Sequence, residues 1–234
     1  MNHTEKMDAA SHGGASVSSE TNVAEQAQAI GTYHVRSIGP VEEYRDEYVA
    51  LRDRINAKGF KAFLDKLVNG SQIMREFMAI PMEEKWAADC PNVVTTVGKN
   101  LALDTYLAGS AYTVVGPYMG LINTNASSAV VGDTMASHAG WLEVGLANAP
   151  TYTGPRKTAA WSAASSGSKA LSSALSFAIT GSGTVGGCFL VFGSGAVSTI
   201  DNTGGTLYSA GAFTGGSKTV SNGDTLNVSY AASL

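Results

Sequence analysis

The sequence predicts an α+β protein, with a flexible N-terminal arm and short helices followed by a mainly antiparallel β-sandwich or jelly-roll domain. Three observations carry this. Charge is uneven: residues 1–100 hold 25 of the 34 Asp, Glu, Lys and Arg side chains, and residues 101–234 hold only nine. Glycine runs the other way, with seven in the first part and 20 in the second. Apolar residues recur at helical spacing before the Pro91–Asn100 stretch and in short strand-like runs after it. The expected divisions are an arm over 1–39, a helical module over 40–110 and a β-sandwich over 111–234.

The arm is expected because residues 1–30 carry almost no large apolar side chains and repeat Ala, Ser, Gly, Glu and Gln. Such a segment buries too little surface to offset its ordering entropy. Two readings follow, a floppy tail or an arm that orders against a neighbouring subunit. From Pro40 onward Val41, Tyr44, Tyr48, Leu51 and Ile55 fall on one helical face, with charged residues between them. Acidic residues crowd the first turn and Arg52, Arg54 and Lys58 the last, as the helix dipole favours. Gly59 then breaks or bends this helix. Phe60, Phe63, Leu64, Leu67 and Val68 continue a stripe to Asn69-Gly70, and Ser71 is placed to cap a third short segment ending at Pro81. These stripes either pack on each other and the β domain or form a docking face. A strand-like run follows at Val93–Val97, then a helix from Lys99 to Leu107.

Eight short strands are expected beyond Ala111: Tyr112–Val115, Tyr118–Ile122, Trp141–Leu146, Lys169–Thr180, Gly187–Phe192, Thr206–Tyr208, Lys218–Val220 and Thr225–Tyr230. Alternation is clearest in the last, where Leu226, Val228 and Tyr230 are separated by Asn227 and Ser229 after an Asn222-Gly223 turn. The stretch Thr158–Ser168 reads as a loop anchored by Trp161, or as a contact site centred on it.

Composition excludes several classes. A net charge of −4 and a pI near 5.5 give no basic footprint for nucleic acid or an anionic membrane. No apolar run approaches the ~20 residues that cross a bilayer, and the polar start MNHTEKMDAASHGG is unlike a signal peptide. Synthesis in a cytoplasm is the expectation. Cys90 and Cys188 are too few for a disulfide scaffold and read as two buried thiols.

No constellation points to catalysis, a cofactor or a metal. Gly181-Ser182-Gly183-Thr184-Val185-Gly186 matches the letters of a dinucleotide fingerprint. The mechanism needs a helix N-terminus directly after the glycines, whereas Cys188–Phe192 is a strand run, so a β-hairpin turn is expected. Asp133, Ser137 and His138 lie close in sequence without a nucleophile elbow or a separate orienting carboxylate. Asp133, Asp201 and Asp224 sit in turns where Asx side chains satisfy backbone donors. Only Asp104, Asp133, Glu143, Asp201 and Asp224 offer carboxylates in the β domain, and nothing singles out a pair for glycoside hydrolysis. The four histidines contain no pair at metal-ligand spacing.

Nine charges over the last 134 residues leave fewer than a free monomer ordinarily needs for solubility, which suits a chain that works inside an assembly. Four phrases then resemble tailed-bacteriophage structural proteins: Pro91-Asn92-Val93-Val94-Thr95-Thr96-Val97-Gly98-Lys99-Asn100, Tyr118–Ile122, Gly132–Trp141 and Gly223–Tyr230. The similarity spans roughly residues 81–234 and supplies no catalytic residues. It implies a virion component, and decoration or cement proteins of such phages are commonly jelly-roll or related β folds.

The expected function is therefore a capsid decoration (cement) protein on the virion surface, with the major capsid protein and further copies of itself (dimer or trimer) as partners. The expected contact residues are Tyr44, Tyr48, Leu51 and Ile55 on one helix and Phe60, Phe63 and Leu64 on the next. The alternative is a tail-fibre or host-recognition protein whose Tyr112, Tyr118, Trp141, Tyr152 or Trp161 stacks on a glycan. The chain lacks the repeats or sustained heptads of a fibre shaft.

Overall fold

The computed structural model describes residues 30–107, 115–138 and 140–233. The elements run β1 (Ile30–Pro40), α1 (Arg45–Asn56), α2 (Phe60–Ala79), β2 (Met82–Val94), α3 (Thr96–Leu107) and β3 (Tyr118–Ile122). They continue with β4 (Glu143–Val144), β5 (Thr151–Tyr152), β6 (Lys157–Thr158), β7 (Ser168–Ala170), β8 (Leu175–Gly181) and β9 (Gly183–Val185). Last come β10 (Gly187–Phe192), β11 (Thr206–Ala212), β12 (Lys218–Val220) and β13 (Thr225–Ser233).

Eleven of the thirteen strands form one large sheet in the order β4-β3-β10-β11-β2-β1-β13-β8-β5, with β6 added to β3 and β7 to β13, and β9 and β12 pair separately. Every ladder between these strands is antiparallel. A bridge from Gly145, just after β4, to Thr151 of β5 brings the two ends of the sheet together. The result is a nearly closed barrel or sandwich, as the mainly antiparallel α+β reading expects. Closure removes the open strand edges that a weakly charged sheet would otherwise expose.

Two apolar clusters share strand β10. Cys188 and Leu190 point into the main core with Tyr33, Val35, Phe177, Ile179, Leu226 and Val228. Phe189 and Val191 point the other way, onto Trp141, Met135, Ile122 and Leu207. Burial on both faces is why the Cys188–Phe192 run is continuously apolar instead of alternating.

The structure differs from the sequence expectation at the N-terminal part. Residues 1–29 of the expected arm lie outside the described residues, but its last ten residues, with Pro40 from the expected helical module, are strand β1 at the centre of the sheet. It pairs with β13 from Ile30↔Ser233 to Ile38↔Thr225 and with β2 on its other side. Its alternation is real: Tyr33, Val35 and Ser37 are buried while His34 and Arg36 are exposed. Small residues on the buried face hide it. At Gly31 a Cβ would overlap the Tyr230 ring. Likewise the expected helical module over 40–110 contains strand β2, so the first hundred residues supply two central strands of the barrel.

Other elements are corrected in detail. Phe60–Ala79 is a single helix through Asn69-Gly70. The mid-helix glycine costs about 1 kcal/mol relative to Ala, offset where Asn69 donates back to Asp65 and Ile73 packs against α1. The Gly181–Gly186 segment is a corner, not a hairpin turn: β8, β9 and β10 pair with different partners, β9 forming its own ladder with β12. The expected 169–180 strand is split into β7 and β8, and of 141–146 only Glu143–Val144 is strand. The expected Tyr112–Val115 strand falls mostly outside the described residues. Helix α3 begins where Thr95 accepts the Gly98 N–H at 3.1 Å, an N-cap bond.

Candidate functional site

Helices α1 and α2 form a hairpin between β1 and β2, rooted where Val41 N–H donates to the Pro81 carbonyl at 3.0 Å. The two helices share a small core of Leu51, Ile73 and Ile80, with Tyr44, Tyr48, Ile55 and Phe77 packed around it. The Tyr48 and Phe77 rings stack at 4.9 Å. Four of the expected contact residues, Tyr44, Tyr48, Leu51 and Ile55, are thus engaged inside the hairpin. The other three, Phe60, Phe63 and Leu64, are exposed on α2.

Two arginines seven positions apart on α1 hold the hairpin to the barrel. Arg45 donates to Asp224 at 2.9 Å, to the Asn222 carbonyl at 3.0 Å and to Glu42 at 2.8 Å. Burial works against the Arg45 charge, and these carboxylate bonds more than restore it, raising its pKa. Arg52 reaches the Asn222 side chain at 3.0 Å and the Ile179 carbonyl at 3.2 Å. Asp224 also accepts the Ser221 N–H at 2.8 Å, so the expected Asx turn is present and carries an ion pair as well. The seven-residue spacing of Arg45 and Arg52 was the available sequence signal for this clamp. At the far end Arg54 grips Asp65 through two 2.6 Å bonds, and Lys66 donates to the Ala57 carbonyl at 2.8 Å. Arg54 first, then Asn69, draws the Asp65 carboxyl down to about 2.

Among the described residues the outer face of α2 has no partner. Phe60, Phe63 and Leu67 are 77%, 60% and 70% exposed, and Leu64, Val68, Met74 and Met78 extend the patch along the helix. Nothing lies within 4 Å of the position a Gly70 Cβ would take. Scaling the ~150–250 Å² of an aromatic side chain down for Leu, Val and Met, these partly exposed residues leave roughly 600–800 Å² of apolar surface in water. The largest such patch on an ordinary monomer is about 300–600 Å².

The polar residues singled out for chemistry serve the fold. Asp133 accepts the Trp141 indole N–H at 3.0 Å, and the His138 ring stacks on Trp141 at 3.9 Å. Ser137 lies in a turn closed with Thr134. Glu143 forms a buried bidentate pair with Arg156 at 2.8 and 2.7 Å, and Arg156 donates onward to the carbonyls of Asn202 and Val197. A cavity of about 100 Å³ beside this pair is lined by His138, Asn148 and Asp201. Among the described residues no three His, Cys, Asp or Glu side chains gather as a metal site.

Of the residues considered for glycan stacking, Trp141 and Tyr152 are buried and Tyr112 lies outside the described residues. Trp161 lines a depression of about 200 Å³ with Phe192 and Tyr230. That depression adjoins one of about 290 Å³, and the two share Lys169, Tyr208 and Ala232. No helix among the described residues is long and apolar enough to cross a membrane. No protein-family model matches the chain, and no curated protein or solved structure matches it either.

Proposed function

We propose that this chain is a structural component of a tailed-bacteriophage particle, a capsid decoration protein that binds the assembled shell through the major capsid protein and stabilises it. The observation that carries the reading is the α2 face, an exposed apolar surface on a hairpin clamped to a low-charge barrel, which marks the chain as a subunit of an assembly without itself being the shell contact. The four phrases that resemble phage structural proteins fall in the barrel: in β2 and α3, in β3, in the loop holding Trp141, and in β13 with its preceding turn. They support a shared scaffold rather than a shared catalytic site, and an antiparallel barrel suits the jelly-roll class expected of such proteins. A ligand that binds only the assembled shell stabilises it by mass action, and many symmetric copies multiply modest contacts.

The alternative, a tail-fibre or host-recognition protein, is favoured by the aromatic depression at Trp161, where a sugar face would stack. One experiment decides between them. Quantitative mass spectrometry of purified particles is expected to find hundreds of copies relative to the major capsid protein. A few to a few dozen copies would overturn the decoration reading and place the protein at the tail or a vertex.

A further inference from the structure

We infer that the occupant of the α2 face is α2 of a second copy of this chain, packed antiparallel about a two-fold axis that passes between Leu67 and Ser71. The inference deepens the reading of this face as an assembly surface and rests on it.

The exposed stripe follows Phe60, Leu64, Leu67, Ser71, Met74 and Met78, steps of four, three, four, three and four. That is the spacing of a helix–helix seam. It keeps the stripe straight along a partner helix inclined by about 20°. Phe63 and Val68 flank it, and Ile73 and Phe77 on the opposite side of α2, with Ile80 just past its end, hold α1. The helix is therefore two-sided, with one side filled by its own fold and the other laid out for a second helix.

The seam also fits itself. In an antiparallel pair centred between Leu67 and Ser71, Phe60 meets the other copy's Met78, Leu64 meets Met74 and Leu67 meets Ser71. Each layer then joins two side chains of the stripe. The small Ser71 at the centre receives the larger Leu67. A parallel pair would instead stack Ser71 on Ser71 and Phe60 on Phe60, with a void in the middle and crowding at one end. The area is of the right order as well: full coverage of the face would remove up to about 800 Å² per copy, the contribution of each partner to a standard-size interface. The match between the two halves of one stripe is what selects a second copy as the occupant.

The test is the mass of the purified full chain in solution at micromolar concentration, by light scattering after size exclusion. A dimer of twice 24.1 kDa is expected. Leu67→Lys, at an exposed position of the free chain, should weaken association by about 30-fold or more, the scale of losing a central anchor, with an unchanged circular dichroism spectrum. The register is read by cross-linking: Leu67→Cys/Ser71→Cys should form intermolecular disulfides, and Ser71→Cys alone should form few. Efficient cross-linking of Ser71→Cys alone would overturn the antiparallel arrangement. A monomeric wild type, or a Leu67→Lys variant that dimerises as tightly as wild type, would overturn the inference. A monomer still found in hundreds of copies per particle would sink the pairing and leave the decoration reading standing. A dimer found in few copies would do the reverse.

Discussion

Replacing Arg156 by Met would leave the Glu143 carboxylate buried without its counter-charge. The pair is nearly dry, with Arg156 at 0% and Glu143 at 5% side-chain exposure. The substitution removes both bonds to Glu143 and leaves the carbonyls of Asn202 and Val197 without that donor. Glu143 would keep only the Asp201 N–H at 2.8 Å. Breaking a buried pair from one side costs about 3–5 kcal/mol, which for a domain of this size lowers Tm by roughly 6–20 °C. Methionine fills much of the arginine volume over the Phe189 ring, so the loss reports charge rather than a cavity. The double change Glu143→Gln/Arg156→Met removes the stranded charge and should recover a large part of the stability. Chemical denaturation followed by tryptophan fluorescence is the assay, since Trp141 packs on Phe189 beside the pair. A single variant within about 1 kcal/mol of wild type, well below the one-sided cost, or a double variant no better than the single, would refute the reasoning.

Two further expectations concern titration and thiols. Asp65 is held at about 2 by Arg54 and Asn69, below the ordinary carboxylate value of ~3.9. A depressed folded-state pKa contributes stability above that ordinary value and loses it as pH falls toward the folded value. Hydrogen-exchange protection in α2, taken relative to the intrinsic exchange rate at each pH, should therefore fall between about pH 4 and pH 2, a change that Asp65→Asn abolishes and that salt reduces; protection that stays constant over this range in the wild type would contradict it. Burial pushes the Cys90 thiol up to about 12 and Cys188 well above its ordinary value. A disulfide exchange reagent at pH 8 should label neither thiol in the native protein and both in denaturant, and native labelling of either would show that the barrel opens.

What the sequence made legible was set by how cleanly each element's pattern matched one environment. Tyr118–Ile122, Gly187–Phe192 and Lys218–Val220 are apolar or β-branched runs between turn residues, and their bounds agree with the strands found. Strand β1 was hidden because two of its inward positions are Gly31 and Ser37, small for a reason no single sequence displays: the Tyr230 ring occupies the space above Gly31. The start of β2 was hidden because Met82, Glu83 and Glu84 are exposed on both faces and carry no alternation. At the candidate site, both helical stripes were visible, but not which one faced inward. That depended on the fold of the hairpin, where Ile73 and Phe77 turn toward Tyr48 and leave Phe60 and Phe63 in water. Arg156 went unnoticed because a buried charge is identified by its partner, and Glu143 lies thirteen residues away in sequence.

The placement of the hairpin separates what the barrel needs from what it displays. Strands β1 and β2 stay paired up to Pro40↔Met82, and the chain leaves and re-enters the ladder at adjacent points. The helices between those points are an excursion from a β-hairpin whose ends remain joined. Their core of Leu51, Ile73 and Ile80 is a cluster apart from both barrel clusters. The outer α2 residues contact neither, so barrel stability gives no reason for seven large apolar side chains in water, where each carries a solubility cost. That cost is relieved when the face is covered. A clamp of Arg45 and Arg52 fixes where the face points, which a partner requires and an idle loop does not.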